Sequence, residues 1–397
     1  MIKETTLMDD EDVSLILTHY SEDYSKHYGA IVPPVYMNSL NVFPTIEAYY
    51  SADPVHDQNV YTYGRVSNPT VVITENKIAK LEHGNWAALF ASGMAATSAG
   101  IFSCCKKDSK VVCLYNAYGP VKQFFSTLGQ RYGIRVEYVK GTSLEEYESA
   151  ITDDTSLVML ESPSSAIFTL QDIKGVCKLA HAKGARVLID NTYCTPIFQN
   201  PLDLGVDLVM HTASKYLGGH SDLISGVLVG KDEGLRDEIM KTERELIGGI
   251  ISPVEAWLIM RGMRTLQIRM KRHFETAMAM ADFLEKDNRI KAVHYPGLIS
   301  HPQYALAKKQ QRGSCGLMSI ELDADVNTAL RFIDGLKVFK IGVSWGGFES
   351  LACMPYLHET DQNIKKLGGG RGLIRLHCGL EDKGALIEDL RQSLSKL

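Results

Sequence analysis

The chain has 397 residues, of which 45% are hydrophobic and 22% charged, a composition typical of soluble globular proteins of two or three domains. A net charge of -5 and a sequence pI near 6.2 exclude the basic surface on which nucleic-acid-binding proteins depend. The eight cysteines include no C-x-x-C pair, and the acidic N-terminus lacks a signal-peptide core, so we expect a cytoplasmic protein without zinc fingers.

The first 65 residues are predicted to form an extended arm. They are rich in proline, tyrosine and turn-forming residues, as in "IVPPVYMNSLNVFPT", and they show neither a helical nor a strand period. We therefore expect no regular secondary structure in residues 1–65.

The segment from Gly84 to Cys105 has the length of a membrane span but not its character. It carries no formal charge and is long enough to cross a bilayer. Its centre, "FASGMAATSAG", consists mainly of small residues that are only weakly apolar. We therefore predict a strand, "WAALF", that leads into a buried helix, and no interaction with a membrane.

Apolar runs alternate with helix-like segments in the middle of the chain. The runs lie at residues 110–115, 135–139, 156–161, 185–190, 206–211 and 225–230 and are predicted to be fully buried strands. A helix-like segment at 171–184, with Gly184 as its C-cap, is typical of the connections between them. This alternation indicates an α/β domain with a parallel sheet covered on both faces, which we assign to residues 66–255.

The pattern changes near residue 250. A long helical stretch starts there at a Ser-Pro signal. Strand-like segments, "GLMSIEL" and "GLIRLHCGL", and helix-like segments, "NTALRFIDGL" and "ALIEDLRQSLSKL", follow it. We predict a smaller α+β domain over residues 256–397.

Three predicted strands end in side chains that can carry chemistry, namely Glu161, Asp190 and the segment from His211 to Lys215. Ligands of open α/β sheets bind outside the carboxyl ends of the strands. A lysine in apolar surroundings has a lowered pKa and can bond covalently to an aldehyde. An aspartate at the neighbouring strand end can keep a pyridine nitrogen protonated, and this pair is what pyridoxal phosphate requires as an electron sink.

A candidate phosphate site lies in "ASGMAA". Gly93 and Met94 open the helix after the "WAALF" strand, where free backbone N–H groups favour an anion and glycine permits close approach. The hydroxyls of Thr212 and Ser214, close to Lys215 in the sequence, can add two donors.

The stretch "IDNTYCTPIFQNPLDLGVDLVMHTASKYLGGHSD" resembles the signature of the Cys/Met-metabolism (trans-sulfuration) family of pyridoxal-phosphate enzymes. The resemblance continues through "YTYGRVSNPT", "ASGMAA", "ESP", "VSWGGFES" and "LIRLHCGLED", and so covers most of the chain. It implies fold type I, the aspartate-aminotransferase-like fold, with a mostly parallel seven-stranded sheet and a smaller C-terminal α+β domain. It also implies bound pyridoxal 5'-phosphate and a small amino-acid substrate.

The resemblance implies roles for individual residues. Lys215 is similar to the lysine that binds the cofactor and shuttles protons, and Asp190 to the partner of the pyridine nitrogen. Tyr118 resembles the tyrosine that stacks on the cofactor ring, and Arg375 the arginine that grips the substrate α-carboxylate. The further matches are Gly93, Met94, Thr212 and Ser214 for the phosphate, and Ser344, Trp345 and Ser165 for the substrate.

Tyr63 and Arg65, in "YGR", resemble a pair that reaches the cofactor phosphate of a neighbouring subunit. The resemblance therefore implies active sites shared across a dimer, and a homotetramer built as a dimer of dimers. The twelve histidines show no H-E-x-x-H spacing, so we predict no metal site. His211 and His220 are expected to make structural hydrogen bonds.

The resemblance leaves the reaction type open among β-elimination, γ-elimination and γ-replacement. Pro120, Ser165, Trp345 and His377 resemble bacterial cystathionine β-lyases, whereas "DNTYCTP" and "SNPT" look more like methionine γ-lyases. Several relatives carry a polar residue where this chain has Val343, which favours a smaller or less polar leaving group. We favour carbon–sulfur β-elimination, which gives pyruvate, ammonia and a thiol.

Two other classes of protein fit the sequence less well. A non-catalytic regulator could hold the same cofactor, but the joint presence of Lys215, Asp190, Tyr118 and Arg375 argues against it. A nicotinamide-dependent dehydrogenase is disfavoured because no glycine fingerprint follows the first predicted strand.

Overall fold

The structure, a computed structural model, describes residues 12–397. Residues 1–11 of the predicted arm lie outside this description. The strands form two sheets, of seven and five strands. They are β1 (Trp86–Phe90), β2 (Lys110–Leu114), β3 (Arg135–Val139), β4 (Thr155–Glu161), β5 (Arg186–Asp190), β6 (Leu208–His211), β7 (Gly226–Gly230), β8 (Ile290–His294), β9 (Leu317–Leu322), β10 (Lys340–Ile341), β11 (Leu351–Cys353) and β12 (Ile374–His377).

Helices connect and cover the strands of both sheets. They are α1 (Val13–His19), α2 (Ile46–Tyr50), α3 (Pro69–Leu81), α4 (Gly93–Cys104), α5 (Gly119–Phe124), α6 (Leu144–Ala150), α7 (Ile173–Ala182), α8 (Thr195–Phe198), α9 (Glu233–Glu238), α10 (Glu245–Ile247), α11 (Pro253–Met263), α12 (Leu266–Glu285), α13 (Tyr304–Gln310), α14 (Val326–Asp334), α15 (Asp361–Leu367) and α16 (Lys383–Leu394).

The large sheet has the strand order β1-β7-β6-β5-β4-β2-β3. Strand β7 runs antiparallel to both of its neighbours, while the pairs from β6 to β3 are parallel. Every residue of β1, β6 and β7 is buried, because helices cover both faces of the sheet. The predicted mostly parallel seven-stranded sheet is therefore confirmed.

The small sheet is mixed, with the order β10-β11-β12-β9-β8. Strand β12 lies in its centre and pairs antiparallel with both β9 and β11. Its core is a separate hydrophobic cluster that includes Met280, Phe332 and Leu390 from the covering helices. The second, smaller α+β unit of the predicted fold class is confirmed.

The carboxyl ends of β4, β5 and β6 meet at one edge of the large sheet. Glu161 and Asp190 are paired in register, and Asp190 lies opposite Met210, the residue before His211. Behind this edge, the buried Glu82 carboxylate accepts hydrogen bonds from His211 Nε2 at 2.5 Å and from Asn191 Nδ2 at 2.7 Å. This network fixes the ends of β5 and β6, and it gives His211 the predicted structural hydrogen bond.

The expectation that residues 1–65 lack regular structure is wrong at three places, namely α1, α2 and a short 3-10 helix at Tyr24–His27. Helix α1 begins after Asp12, whose side chain accepts a hydrogen bond from the Ser14 N–H, and α2 begins after Thr45, which caps the Ala48 N–H. These are local capping interactions, and the helices are too short to show a periodicity in the sequence.

The long helical stretch predicted after residue 250 is two helices, α11 and α12. A capping box between Ser252 and Glu255 starts α11, as the Ser-Pro signal indicates. The stretch breaks because the Gly262 carbonyl accepts hydrogen bonds from the Thr265 N–H and from the Arg269 guanidinium instead of continuing the helical pattern.

Candidate active site

A cavity of about 550 Å³ lies where the carboxyl ends of β4, β5 and β6 face the small sheet. The residues that line it are far apart in the sequence. Of the predicted site residues, its lining contains Tyr118, Ser165, Asp190, Thr212, Lys215, Ser344, Trp345 and Arg375.

Lys215 projects into this cavity from the loop after β6. Burial, and to a smaller extent the nearby Arg375 guanidinium, together lower the pKa of its amine to about 8, against the opposing effect of Asp190. The amine Nζ contacts Ser344 Oγ and lies 5.5 Å from the centre of the Trp345 ring. An amine of lowered pKa can act as a nucleophile near neutral pH, and this role for Lys215 stays a prediction.

Asp190 is positioned by a turn that its own sequence encodes. Its Oδ1 accepts hydrogen bonds from the N–H of Thr192 at 2.9 Å and from the Thr192 hydroxyl at 2.5 Å. Sequence reasoning missed Thr192, although the spacing Asp-x-Thr is typical of such turns. Burial raises the pKa of Asp190, while the two hydrogen bonds from Thr192 act in the opposite direction.

The start of α4 lies beside the loop that carries Lys215. Ser92 caps the helix by accepting the Ala95 N–H at 3.1 Å, so the N–H groups of Gly93 and Met94 precede the hydrogen-bonded turns of the helix. Only glycine fits at position 93, because a Cβ there would lie 3.1 Å from the Thr212 Cβ and closer still to its hydroxyl. The geometry places Thr212 at the helix N-terminus, where an anion is favoured.

Ser214 makes hydrogen bonds within the protein. Its hydroxyl donates to the Ser225 carbonyl at 3.2 Å and accepts the Ser225 N–H at 2.9 Å. Its predicted role as a phosphate donor therefore stays a prediction.

The small sheet supplies the opposite wall of the cavity. Arg375 lies on β12, and its Nη2 donates to the Ser344 carbonyl at 3.4 Å. The loop from Ser344 to Gly346 is held because the Gly346 N–H donates to His377 Nε2 at 3.0 Å. Gly346 has φ +88° and packs against the Lys215 backbone, so a side chain there would be strained and would displace the lysine.

Tyr118 and Ser165 both hydrogen-bond the carboxyl of Glu161. The Tyr118 N–H donates to Oε2 at 2.7 Å, and the Ser165 hydroxyl lies 2.5 Å from Oε1. Tyr118 is 48% exposed and lines the cavity. The sequence predicts Glu161 at the end of a strand but indicates no specific role for it.

Tyr63 and Arg65 lie apart from this cavity. The Arg65 guanidinium is 5.7 Å from the centre of the Tyr63 ring, and it donates to the Glu245 carbonyl at 3.0 Å. Both side chains are more than 40% exposed, so they are available to another molecule.

Sequence reasoning also missed most of an apolar wall on the cavity, formed by Ala166, Phe168, Val343, Met354 and Pro355. These residues come from the loop after β4, the loop before Trp345 and the end of β11. Only Val343 was singled out in advance, because the others carry no chemical signal in the sequence. The ionisable acidic and basic side chains of the cavity lining are Glu161, Asp190, Lys215 and Arg375.

The described residues fit pyridoxal phosphate. The cavity combines an anion site at the start of α4, the carboxyl of Asp190 and a lysine amine of lowered pKa. These are the three groups that the phosphate, the pyridine nitrogen and the aldehyde of this cofactor require. In the part of the chain that the structure describes, no cluster of side chains could hold a metal ion.

Comparisons with known proteins agree with this chemistry. Residues 14–395 match the family model described as Cys/Met metabolism PLP-dependent enzyme. The chain is 38% identical over 381 residues to the L-methionine γ-lyase of Pseudomonas putida, covering 95% of each chain. It is also 38% identical over 371 residues to the cystathionine β-lyase of Coxiella burnetii, covering 92% of each.

A solved structure has the same fold. The crystal structure of metB from Corynebacterium glutamicum superposes with a TM-score of 0.91 at 32% identity, covering 98% of this chain and all of the other. From Asp12 to Leu397, no helix combines the length and the apolar character that a membrane crossing demands.

Proposed function

Because the chain belongs to the Cys/Met metabolism family of pyridoxal-phosphate-dependent enzymes, we propose that it cleaves the carbon–sulfur bond of an amino acid by β-elimination. The products are pyruvate, ammonia and a thiol. The observation that carries this proposal is the confinement of the Lys215 amine by Ser344 and Trp345.

Each proposed role follows from the chemistry of the side chain. Bound pyridoxal phosphate supplies an electron sink for the bond broken at Cα. Lys215 removes the Cα proton, because its lowered pKa leaves part of the amine neutral near pH 7. The Asp190 carboxylate would stabilise a protonated pyridine nitrogen, Tyr118 would hold the ring by stacking, and the Arg375 fork would bind the substrate α-carboxylate.

The confinement of Lys215 favours β- over γ-elimination. A β-elimination needs one proton taken from Cα, whereas a γ-elimination needs a further proton moved at Cβ. The amine contacts Ser344 Oγ and lies within cation–π distance of the Trp345 indole. We infer from these two contacts that one proton transfer at Cα is favoured over transfers at both Cα and Cβ.

A second candidate is γ-elimination, which gives 2-oxobutyrate. It is favoured by the names of several relatives, which include L-methionine γ-lyases from Pseudomonas putida and Porphyromonas gingivalis, each 38% identical to this chain. The γ-replacement reaction, in which a thiol takes the place of the leaving group, is the third outcome that the family chemistry allows.

The apolar wall favours a leaving group that is small or apolar. Val343 is 85% exposed at the cavity mouth and cannot pair with a charge, and Met354 and Pro355 continue the same surface. A distal ammonium group would find no counter-charge on these three side chains, so this wall offers nothing that selects it. We therefore propose an S-alkyl cysteine as a better substrate than cystathionine.

The identity of the keto acid tests the reaction type. We expect the enzyme, with added pyridoxal phosphate, to release pyruvate from S-methylcysteine faster than from cystathionine. Incubation with methionine and homocysteine under the same conditions is the matched comparison. Release of 2-oxobutyrate as the main product would replace β-elimination with γ-elimination, and no keto acid from any of these substrates would favour a non-catalytic protein.

We also propose that the active sites are shared within a homotetramer in the cytoplasm. The exposed Tyr63 and Arg65 support sharing, since they lie apart from the cavity of their own chain. The eight cysteines, all of which are free, support a reducing compartment.

Mixed oligomers test the sharing of sites. Tyr63→Phe and Lys215→Ala subunits, each impaired alone, should regain activity when they are co-expressed. A two-fold dimer that contains one of each has one intact site, so up to about a quarter of wild-type activity is expected from random pairing. Activity no higher than the sum of the two variants would show that Tyr63 serves its own subunit or none.

A further inference from the structure

Two carboxyl groups, Glu161 and Asp190, lie side by side at the ends of β4 and β5. Both line the same cavity, and burial raises the pKa of both groups. Two neighbouring carboxylates cannot both be ionised at low cost in such a place, so the pair shares a proton. The question is which residue holds it.

The surroundings of Asp190 favour its ionised form more than those of Glu161 do. Asp190 accepts two hydrogen bonds from Thr192, and the charges of Lys215 and His211 also lower its pKa. In the holoenzyme the pyridine nitrogen adds a further positive partner. Asp190 is therefore the ionised member of the pair.

Besides Asp190, the titratable groups closest to Glu161 are Tyr118, Cys113 and Tyr356, whose own pKa values are raised by burial, so that they are neutral near pH 7. Lys215 and Arg375 line the same cavity, but among the described residues neither forms an ion pair with Glu161. Hydrogen bonds from Tyr118 and Ser165 favour the ionised form, but they do not outweigh burial and the charge of Asp190. Together these effects raise the pKa of Glu161 to about 8.

We propose that Glu161 is a neutral carboxylic acid in the working enzyme and that it sets the direction of the hydrogen bond at Ser165. The Tyr118 N–H occupies Oε2 at 2.7 Å, which leaves Oε1, 2.5 Å from Ser165 Oγ, to carry the proton. A protonated Oε1 donates to Ser165 Oγ. The Ser165 hydroxyl hydrogen is then free to donate into the cavity that this residue lines.

Ionisation of Glu161 reverses this arrangement. The Ser165 hydroxyl then donates to the carboxylate, and only its lone pairs face the cavity. Ser165 can bind an oxygen of the cofactor or substrate in the first state and not in the second. Glu161 is thus a positioning residue that acts through Ser165, and the inference holds for β- and γ-elimination alike.

Infrared difference spectroscopy of the holoenzyme tests the protonation of Glu161. We expect wild type minus Glu161→Gln at pH 6.5 to show the carbonyl stretching band of a protonated carboxylic acid. The band should fade as the pH is raised through about 8. Glu75 and Glu243, the carboxyls of raised pKa outside the Glu161–Asp190 pair, are common to both proteins and cancel in the difference.

The matched control is Glu321→Gln, the same chemical change at a carboxyl whose pKa is lowered by its hydrogen bond with His294. It should remove no such band. If Glu161→Gln also removes none, Glu161 is ionised and the proposal is wrong.

A second variant keeps the test decisive should Glu161→Gln fail to fold. Ser165→Ala retains the acid but removes its hydrogen-bond acceptor, so the band should shift in frequency without disappearing. An unshifted band would show that Glu161 does not donate to Ser165. A fall in the wild-type kcat/KM between pH 7 and 9 that follows the fading of the band should be absent in Ser165→Asn. The asparagine amide donates a hydrogen bond whether Glu161 is protonated or ionised. Persistence of that loss would also overturn the coupling.

Discussion

Replacing Lys215 with alanine is expected to lower turnover by about 10³-fold or more, because general acid–base catalysis alone is worth about 10²–10⁴-fold. The variant also loses the amine that bonds to the cofactor aldehyde. We expect the change to leave the fold intact, since the side chain ends in the cavity, where its amine contacts Ser344 and lies near the Trp345 ring. Steady-state release of keto acid, together with circular dichroism of the variant, measures both parts of this expectation.

Lys183→Ala is the matched control, because Lys183 is exposed and pairs only with Asp153 on the surface. It should keep wild-type turnover. Borohydride treatment of the wild-type holoenzyme should leave a reduced cofactor label on a single peptide that contains Lys215. Residual turnover near the wild-type level in Lys215→Ala, or a label on another peptide, would remove Lys215 from its proposed role.

The large sheet could be predicted from the sequence for a simple physical reason. A strand buried on both faces must be apolar at every position, so runs such as those of β5 and β6 stand out without any knowledge of their partners. The ends of these runs then mark the edge of the sheet where ligands bind. Asp190 and Lys215 follow two of these runs, so the sequence alone predicts that their side chains lie close together.

The small-sheet side of the cavity could not be predicted in the same way. Arg375, Ser344 and Trp345 were identified by their resemblance to a family, since no local pattern indicates which cavity a loop will line. Met354 and Pro355 carry no such resemblance and no chemical signal, so only the packing of the two sheets reveals them. Contacts of this kind, between residues far apart in the chain, cannot be predicted from a single sequence.

The state of a titratable group is likewise a property of its neighbours. "ESPSS" shows a glutamate and a serine four residues apart, but it does not show that Asp190 lies beside the glutamate. Only the register of β4 and β5 brings the two carboxyls together. The inference about Glu161 therefore needed the structure, whereas the lowered pKa of Lys215 could be expected from its apolar surroundings.

Replacing Arg375 with alanine should cost about 1.5–3 kcal/mol of substrate binding, which is the usual worth of a hydrogen bond to a charged group and lowers kcat/KM by about 10- to 150-fold. Most of the effect should fall on KM, because the α-carboxylate is bound equally before and during the reaction. Burial is the largest cause of the lowered pKa of Lys215, and the positive charge of Arg375 is the second. In the apoprotein of this variant, the pH dependence of amine labelling at Lys215 should therefore shift to higher pH.

Arg375→Lys separates the charge from the geometry of the guanidinium. Lysine retains the positive charge, so the pKa of Lys215 should stay low, but it lacks the planar pair of donors that matches a carboxylate. KM should therefore rise in Arg375→Lys without a shift in the labelling of Lys215. Arg391→Ala, at an exposed arginine of α16 paired with Glu388, should change neither quantity. An unchanged KM in both Arg375 variants would mean that another group binds the α-carboxylate.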